Sequence, residues 1–523
     1  MTEQLWKLGA RRLGTMIAQG EVSTLEVVNA HIDRIESVNP LLNAVVVKRY
    51  DQAREEAEEL DQKRARGEPL GPLHGVPVTV KESLDFGGLP TTYGVTAHRH
   101  DFPGKDELHV GRLRDAGAVV LGKTNVAQLL MFLEADNPVY GRTQNPWALD
   151  RSPGGSSGGE GAIIAALGSP LGVGSDIGGS VRNPASSCGI VGFKPTAGRL
   201  PDAGRGSAPI GQLAIQSQVG FLARRVEDVT LALDVASGAR NPAEGSRSLG
   251  EPSSVELSKL VVGFYTDDGF LPACGAAVRA VHEARDALSR RGATCIPFTP
   301  PELVHGLTLF HEILAGDGGH GMRRFLDGSP ADFRIKQLVA IASASRPTLA
   351  AIGFVAKHTK RRKLATLLGA YGRRDVGSHW DAVASLEEYR AKMLAALDRG
   401  PAPIDVLLSP ATALPAVRHG GTAELGVMGA YDAIYNVLGY PAGVVPFTRV
   451  FESEETSTPR TSDRMDQAAL DTERGSSGLP IGVQVAARPF REHVALAVLG
   501  ALEEDALARS DRPGPDSLPS LFR

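Results

Sequence analysis

Gly154-Gly-Ser156-Ser-Gly-Gly-Glu-Gly161, followed after a short apolar interval by Gly174-Ser-Asp176-Ile-Gly-Gly-Ser180-Val-Arg182-Asn-Pro184, is the stretch that decides how the rest of this chain is read. From Ser152 to Pro195 glycine and serine dominate, and side chains that small cannot fill a core alone, so backbone conformation is what the segment supplies. Upstream, His74-Gly-Val-Pro-Val-Thr-Val-Lys81 reads as a β-branched strand that delivers a lysine to its end, with turn residues around Gly87-Gly88 beyond it. A serine hydroxyl is a poor nucleophile until a base takes its proton, and lysine is such a base only when neutral. Burial at the end of the apolar stretch Val76 to Val80, among hydroxyls rather than carboxylates, supplies that condition for Lys81. Glu82 points to the other face if the strand continues.

Two shorter matches point elsewhere. Gly117-Ala-Val-Val-Leu-Gly122-Lys123-Thr124 fits the phosphate-loop pattern letter for letter, but its four middle residues form an apolar strand rather than a loop of free N–H groups. Gly154 to Gly158 contains G-x-S-x-G, the nucleophile elbow, which would make Ser156 the nucleophile. That motif needs a strand before it, and Asp150-Arg-Ser-Pro153 is turn-like. It also needs a later Asp and His, and His282, His311 and His419 do follow.

The whole ordered set, Lys81, both Gly-Ser stretches and the continuation Cys188-Gly-Ile-Val-Gly-Phe-Lys-Pro-Thr196, closely resembles the amidase signature family, and within it the fatty acid amide hydrolase branch. Gly122-Lys-Thr-Asn125, Asn145-Pro-Trp147, Asp405-Val-Leu-Leu-Ser-Pro410, Gly439-Tyr-Pro-Ala-Gly443 and Gly478-Leu-Pro-Ile-Gly-Val-Gln484 extend the likeness over essentially the whole chain. The resemblance implies an α/β fold, a large twisted mixed sheet flanked by helices under a helical cover. It implies one amidase domain over residues 1–523, with the catalytic core at 74–200 and the substrate cover at 302–398.

The same resemblance implies roles for individual residues. Ser180 becomes the nucleophile, Ser156 the bridging serine on a cis peptide bond, and Lys81 the base. The backbone N–H groups of Ile177, Gly178, Gly179 and Ser180 become the oxyanion hole. Leu130, Met131 and Phe132, within the apolar run Leu129 to Leu133, are implied to line the acyl pocket; the other reading of such a run is a core helix. The implied reaction is cleavage of the C–N bond of an amide through an acyl-enzyme, extending to aryl carbamates (urethanes) and esters, with no metal and no cofactor. A glutamine-hydrolysing subunit of a tRNA-dependent amidotransferase is the alternative, weakened by Glu82 where many members carry aspartate. Asp176 and Arg182 read as a structural ion pair or loop clamp, and Cys188 and His74 as packing residues.

Composition bounds the partners. The chain has 523 residues, 42% apolar and 22% charged, the balance of an ordinary globular protein. A net charge of -4 offers no basic footprint for nucleic acid, so a small-molecule amide, carbamate or ester is the expected partner. Three cysteines without a C-x-x-C pair suggest neither a disulfide framework nor a zinc site, and point to a reducing, cytoplasmic setting. Charges at Glu3, Lys7, Arg11 and Arg12 interrupt the N-terminus, and no stretch approaches the roughly 20 apolar residues of a membrane span. A monomer or homodimer is expected.

Beyond the core, Ser23-Thr-Leu-Glu26 reads as a capping box opening a helix to about Ser37, and Asp51 to Arg66 as a charged helix ended by Gly67. Leu260 to Tyr265 reads as extended and Ala276 to Arg290 as helical. The basic run Lys357 to Lys363 reads as a solvated helix face or a partner or membrane-surface contact, and residues 451–475 as a flexible polar loop inserted between two sheet segments.

Overall fold

Ser23 opens the helix Thr24–Leu42 with the anticipated capping box, its hydroxyl accepting from the Glu26 N–H while the Glu26 carboxylate accepts from the Ser23 N–H. The helix runs past Ser37 and through Pro40, and Asn43 closes it in the left-handed region at φ 50. The Asn39 side chain accepts from the N–H groups of Ala44 and Val45, which turns the chain directly into the first strand. The charged helix occupies Tyr50–Ala65, and Gly67 follows it at φ 68, a conformation that costs glycine little. The computed structural model describes residues 4–200, 211–238, 249–400 and 402–522.

The strands in chain order are β1 (Val45–Lys48), β2 (Pro77–Lys81), β3 (Val119–Thr124), β4 (Asp136–Asn137), β5 (Gly141–Arg142), β6 (Leu171–Asp176), β7 (Val191–Lys194), β8 (Gln218–Ala223), β9 (Val261–Phe264), β10 (Thr294–Pro297), β11 (Val406–Pro410), β12 (Ala442–Arg449) and β13 (Pro480–Ala487). Eleven of them form one mixed sheet in the order β1-β3-β2-β6-β8-β7-β12-β13-β11-β9-β10, and β4 pairs with β5 alone. Alternation along β3 builds both sides of the sheet, since Val119 and Leu121 join one apolar cluster and Val120 the other. The first cluster takes in the helices Thr24–Leu42 and Gly158–Ala165; the second takes in Val226–Ser237, Gly275–Arg290 and Glu492–Leu507. This is the α/β arrangement of a large mixed sheet flanked by helices.

One pairing places the chemistry. β2 and β6 are parallel neighbours, with Thr79 opposite Gly172 and Val80 opposite Val173. Their C-terminal ends therefore emerge together, bringing Lys81 beside Ser175 and Asp176. Residues 302–398 form a run of helices between β10 and β11, from Leu303–Leu314 to Val376–Leu397. The basic run joins two of these helices and is largely exposed, except that Lys363 Nζ reaches Asp466 Oδ1 at 2.6 Å.

Residues 451–475 do lie between β12 and β13, but they are not an irregular loop. They contain a short turn of helix at Glu452–Glu454 and the helix Arg464–Glu473, capped by Asp463. Met465 and Ala469 are buried on one side of that helix, and Arg460 pairs with Glu473 with both side chains 1% exposed. The apolar positions are few, Met465 and the short run Ala468 to Leu470 among polar residues, so the helical period is faint until the partner surface is known. Among the described residues no single helix is long and apolar enough to cross a membrane.

Candidate active site

Lys81 ends a strand whose five residues are all buried. Its Nζ lies 2.8 Å from Ser156 Oγ, 3.0 Å from Ser175 Oγ and 3.2 Å from the Ser175 carbonyl oxygen. No carboxylate is within hydrogen-bond reach of that nitrogen among the described residues. Burial lowers the lysine from its ordinary value to about 7, against the opposing charges of Asp176 and Glu160. Glu160 is itself pushed up by burial to about 8, although the hydroxyls of Thr79 and Thr124 donate to it at 2.6 and 2.8 Å. Glu160, whose charge would oppose the effect of burial on the lysine, is thus itself disfavoured as an anion. A neutral lysine has two N–H donors and one lone pair, a valence that matches two acceptors and one hydroxyl proton.

Ser156 follows a cis peptide bond from Gly155. Gly155 has no room for a β-carbon, because the backbone from Phe132 to Glu134 lies directly against it. Ser156 O accepts from Ala127 N at 3.3 Å, and Ser157 N donates to Ser180 O at 3.2 Å, so the two Gly-Ser stretches are laced together at the backbone. The elbow reading of Ser156 finds no support, since its hydroxyl meets Lys81 rather than a histidine. The phosphate-loop match is the buried strand β3, whose Lys123 Nζ donates to Pro90 O and Thr91 Oγ1.

The loop Ile177-Gly178-Gly179 leads from β6 to Ser180, which is 5% exposed. Asp176 clamps it. The carboxylate accepts from Gly179 N at 2.8 Å, Val181 N at 3.1 Å, Asn436 Nδ2 at 3.0 Å, and Arg182 Nε and Nη2 at 3.1 and 3.0 Å. Burial alone would raise this acid, but the charge and hydrogen bonds of Arg182 prevail and hold it well below the usual carboxylate range. One expected oxyanion donor is therefore already committed, because the Gly179 N–H points at Asp176. The N–H groups of Ile177, Gly178 and Ser180 donate to no atom of the described residues. Both members of the Asp176–Arg182 pair are fully buried, and Arg182→Met would strand a buried carboxylate at a cost of about 3–5 kcal/mol, measurable as a lowered chemical denaturation midpoint.

The apolar run Leu129 to Leu133 is not a core helix. Gln128–Leu130 is a single helical turn, with Leu129 and Leu130 at φ 55 and 60. Leu129 and Leu130 pack into small apolar clusters with Val95 and Tyr93 respectively. Met131 and Phe132 remain half-buried, and the Arg334 guanidinium lies 4.0 Å from the centre of the Phe132 ring. From the helix Leu303–Leu314, the Phe310 ring closes on Gly178, where a β-carbon would meet it at 2.8 Å. Glu82 faces away from Lys81's partners and accepts from the N–H groups of Thr92 and Tyr93. Cys188 is buried against Pro153 O, and His74 bonds to Leu60 O, so both are packing residues here. No local motif marks Ser175; only the β2–β6 pairing reveals it.

Comparison with known proteins shows the family. The Amidase family matches residues 26–496. Fatty-acid amide hydrolase 1 of Sus scrofa is 33% identical over 514 residues, covering 96% of this chain and 86% of its own length. A glutamyl-tRNA(Gln) amidotransferase subunit of Carboxydothermus hydrogenoformans is 31% identical, covering 98% of this chain and 99% of its own. Among solved structures, a fatty acid amide hydrolase superposes with a TM-score of 0.82 at 27% identity, over 97% of this chain and 87% of that one.

Proposed function

The chain belongs to the amidase signature family and is an amide hydrolase, and from that premise we propose that it works through an acyl-enzyme on Ser180, with Ser156 and Lys81 as its proton relay. The observation that carries the reading is Lys81, fully buried, lowered to about 7, and bonded through Nζ to Ser156 Oγ. Ser180 Oγ attacks the carbonyl carbon as its proton passes to Ser156 Oγ and the Ser156 proton passes to Lys81 Nζ. The developing oxyanion is received by the N–H groups of Ile177, Gly178 and Ser180, where each donor is worth about 100-fold to 1000-fold. Lys81 then returns its proton through Ser156 to the leaving nitrogen, and the C–N bond breaks. Water repeats the sequence on the acyl-enzyme, releasing the carboxylic acid and restoring Ser180.

The preferred substrate is a neutral amide with an apolar acyl or aryl group, since the Phe310 ring closes on the loop at Gly178 and the Arg334 guanidinium beside Phe132 is already paired with Glu134, Asp136 and Asp332. Aryl carbamates and esters follow by the same acyl chemistry. The chain acts as one amidase unit with residues 302–398 as its cover, in the cytoplasm, as a monomer or homodimer. The 31% identity to an amidotransferase component keeps a second reading in play, a glutamine-hydrolysing role within such an enzyme.

Matched amide, carbamate and ester substrates sharing one apolar acyl group decide between these. The amide is expected to turn over on the isolated chain, with glutamine hydrolysed at least about 100-fold more slowly, the discrimination a polar substrate suffers in an apolar site. Glutaminase activity together with copurifying subunits would support the second reading instead.

A further inference from the structure

Asp432 lies on the helix Ala430–Val437, fully buried, and neither of its carboxyl oxygens has a hydrogen-bond partner among the described residues. A buried polar group without partners calls for a physical reason. Its location supplies one. A β-carbon at Gly179, which adopts φ 106, would fall 2.6 Å from Asp432 Cβ and 2.8 Å from Oδ2. The carboxyl therefore occupies the space that the missing Gly179 side chain leaves free, in the loop that ends at Ser180.

Two carboxyl groups share one guanidinium here. Arg182 gives Nε and Nη2 to Asp176, and Nη2 also meets Asn436 Oδ1 at 2.6 Å. Its Nη1 donates to the Asp432 backbone oxygen at 2.8 Å and to Gln484 Oε1 on β13 at 2.7 Å. From that nitrogen to Asp432 Oδ1 is 3.6 Å, beyond a hydrogen bond. The remaining ionisable groups facing the cluster are Tyr435 on the same helix, Lys194 on β7, which adds its charge to Asp176, and Lys81 at the end of β2, which also faces Asp176. An ionised Asp432 would be a second buried anion beside Asp176 with no donor of its own. Burial accordingly pushes it well above the usual carboxylate range, with Arg182 opposing and Asp176 adding to the shift.

We propose that Asp432 is a positioning residue of the oxyanion loop that works as an uncharged carboxylic acid: packed on Gly179, it leaves Arg182 to Asp176, whose grip on the Gly179 and Val181 N–H groups aims the free N–H groups at the substrate. When Asp432 ionises it draws on Arg182, the hold of Asp176 weakens, and the loop loses its aim. Substrate still binds, so the loss falls on kcat and not on KM. The inference rests on Ser180 as nucleophile and on the adjoining amides as the oxyanion hole.

The test is kcat and KM across pH for the full chain and for Asp432→Asn and Asp432→Leu, with fluorophosphonate labelling of Ser180 followed alongside. In the unaltered protein kcat is expected to fall on the alkaline side while KM stays level. Both uncharged variants are expected to lose that fall, raising the ratio of alkaline to neutral kcat by about tenfold for each pH unit beyond the midpoint. Two independent variants guard against one that fails to fold. An unaltered alkaline fall in the folded variants, or no fall in the parent protein, would overturn the inference while labelled Ser180 leaves the nucleophile standing. Absence of the label would remove both.

Discussion

Alanine at position 180 lowers amide turnover on the order of a million-fold, the scale seen when a serine hydrolase loses its nucleophile. The reasoning starts from the backbone. The loop that presents Ser180 is fixed by Asp176 and Arg182 and by the Ser157 N–H on the Ser180 carbonyl, none of which involves the Ser180 side chain. Ser180→Ala therefore keeps its fold, with an unchanged circular dichroism spectrum and denaturation midpoint, and residual rate over water comes only from binding and the oxyanion donors. Ser156→Ala differs in kind, because it leaves the nucleophile in place and cuts its path to Lys81. Single-turnover kinetics separate the two, since only the position-180 variant forms no acyl-enzyme at any time.

Lys81→Ala is expected to lose about 10^3-fold to 10^4-fold in kcat/KM, the upper part of what a positioned general base supplies. Its sign with pH is fixed by which form works. On the proposed relay neutral Lys81 accepts the proton, so kcat/KM of the parent protein rises with pH below about 7, tenfold per unit, until the alkaline fall set by Asp432 takes over at higher pH. The alanine variant has no such group, and its residual rate loses that acid limb. The limb belongs to the Lys81 environment as a whole, because Asp176 and Glu160 both oppose the effect of burial. An acid limb that survives unchanged in Lys81→Ala would assign it to another residue.

How much of this could be read from the chain depended on distance along it. The strand ending at Lys81, the cap at Ser23, the helix from Gly275 and the clamp between Asp176 and Arg182 all rest on residues near one another in sequence, where periodicity and local motifs carry the information. Ser175 could not be found that way. It meets Lys81 only because β2 and β6 are parallel neighbours, and strand order is a long-range property. Asp432 lies 250 residues from Arg182, and a lone aspartate in a helix carries no sign of a glycine waiting opposite. The run from Leu129 to Leu133 misleads for the opposite reason: its composition suits a helix, but two successive left-handed residues break it to wrap Gly155. The N–H of Gly179 shows the limit of transferring roles from a family resemblance, since its direction is set by Asp176 in this chain.

Mass spectrometry of the intact protein and its peptides after reaction with a fluorophosphonate tests the central claim most directly. A single adduct on Ser180, absent from Ser180→Ala and formed faster as pH rises through about 7, is the predicted result. An adduct on Ser156, or an unlabelled protein that still hydrolyses amides, would contradict the account.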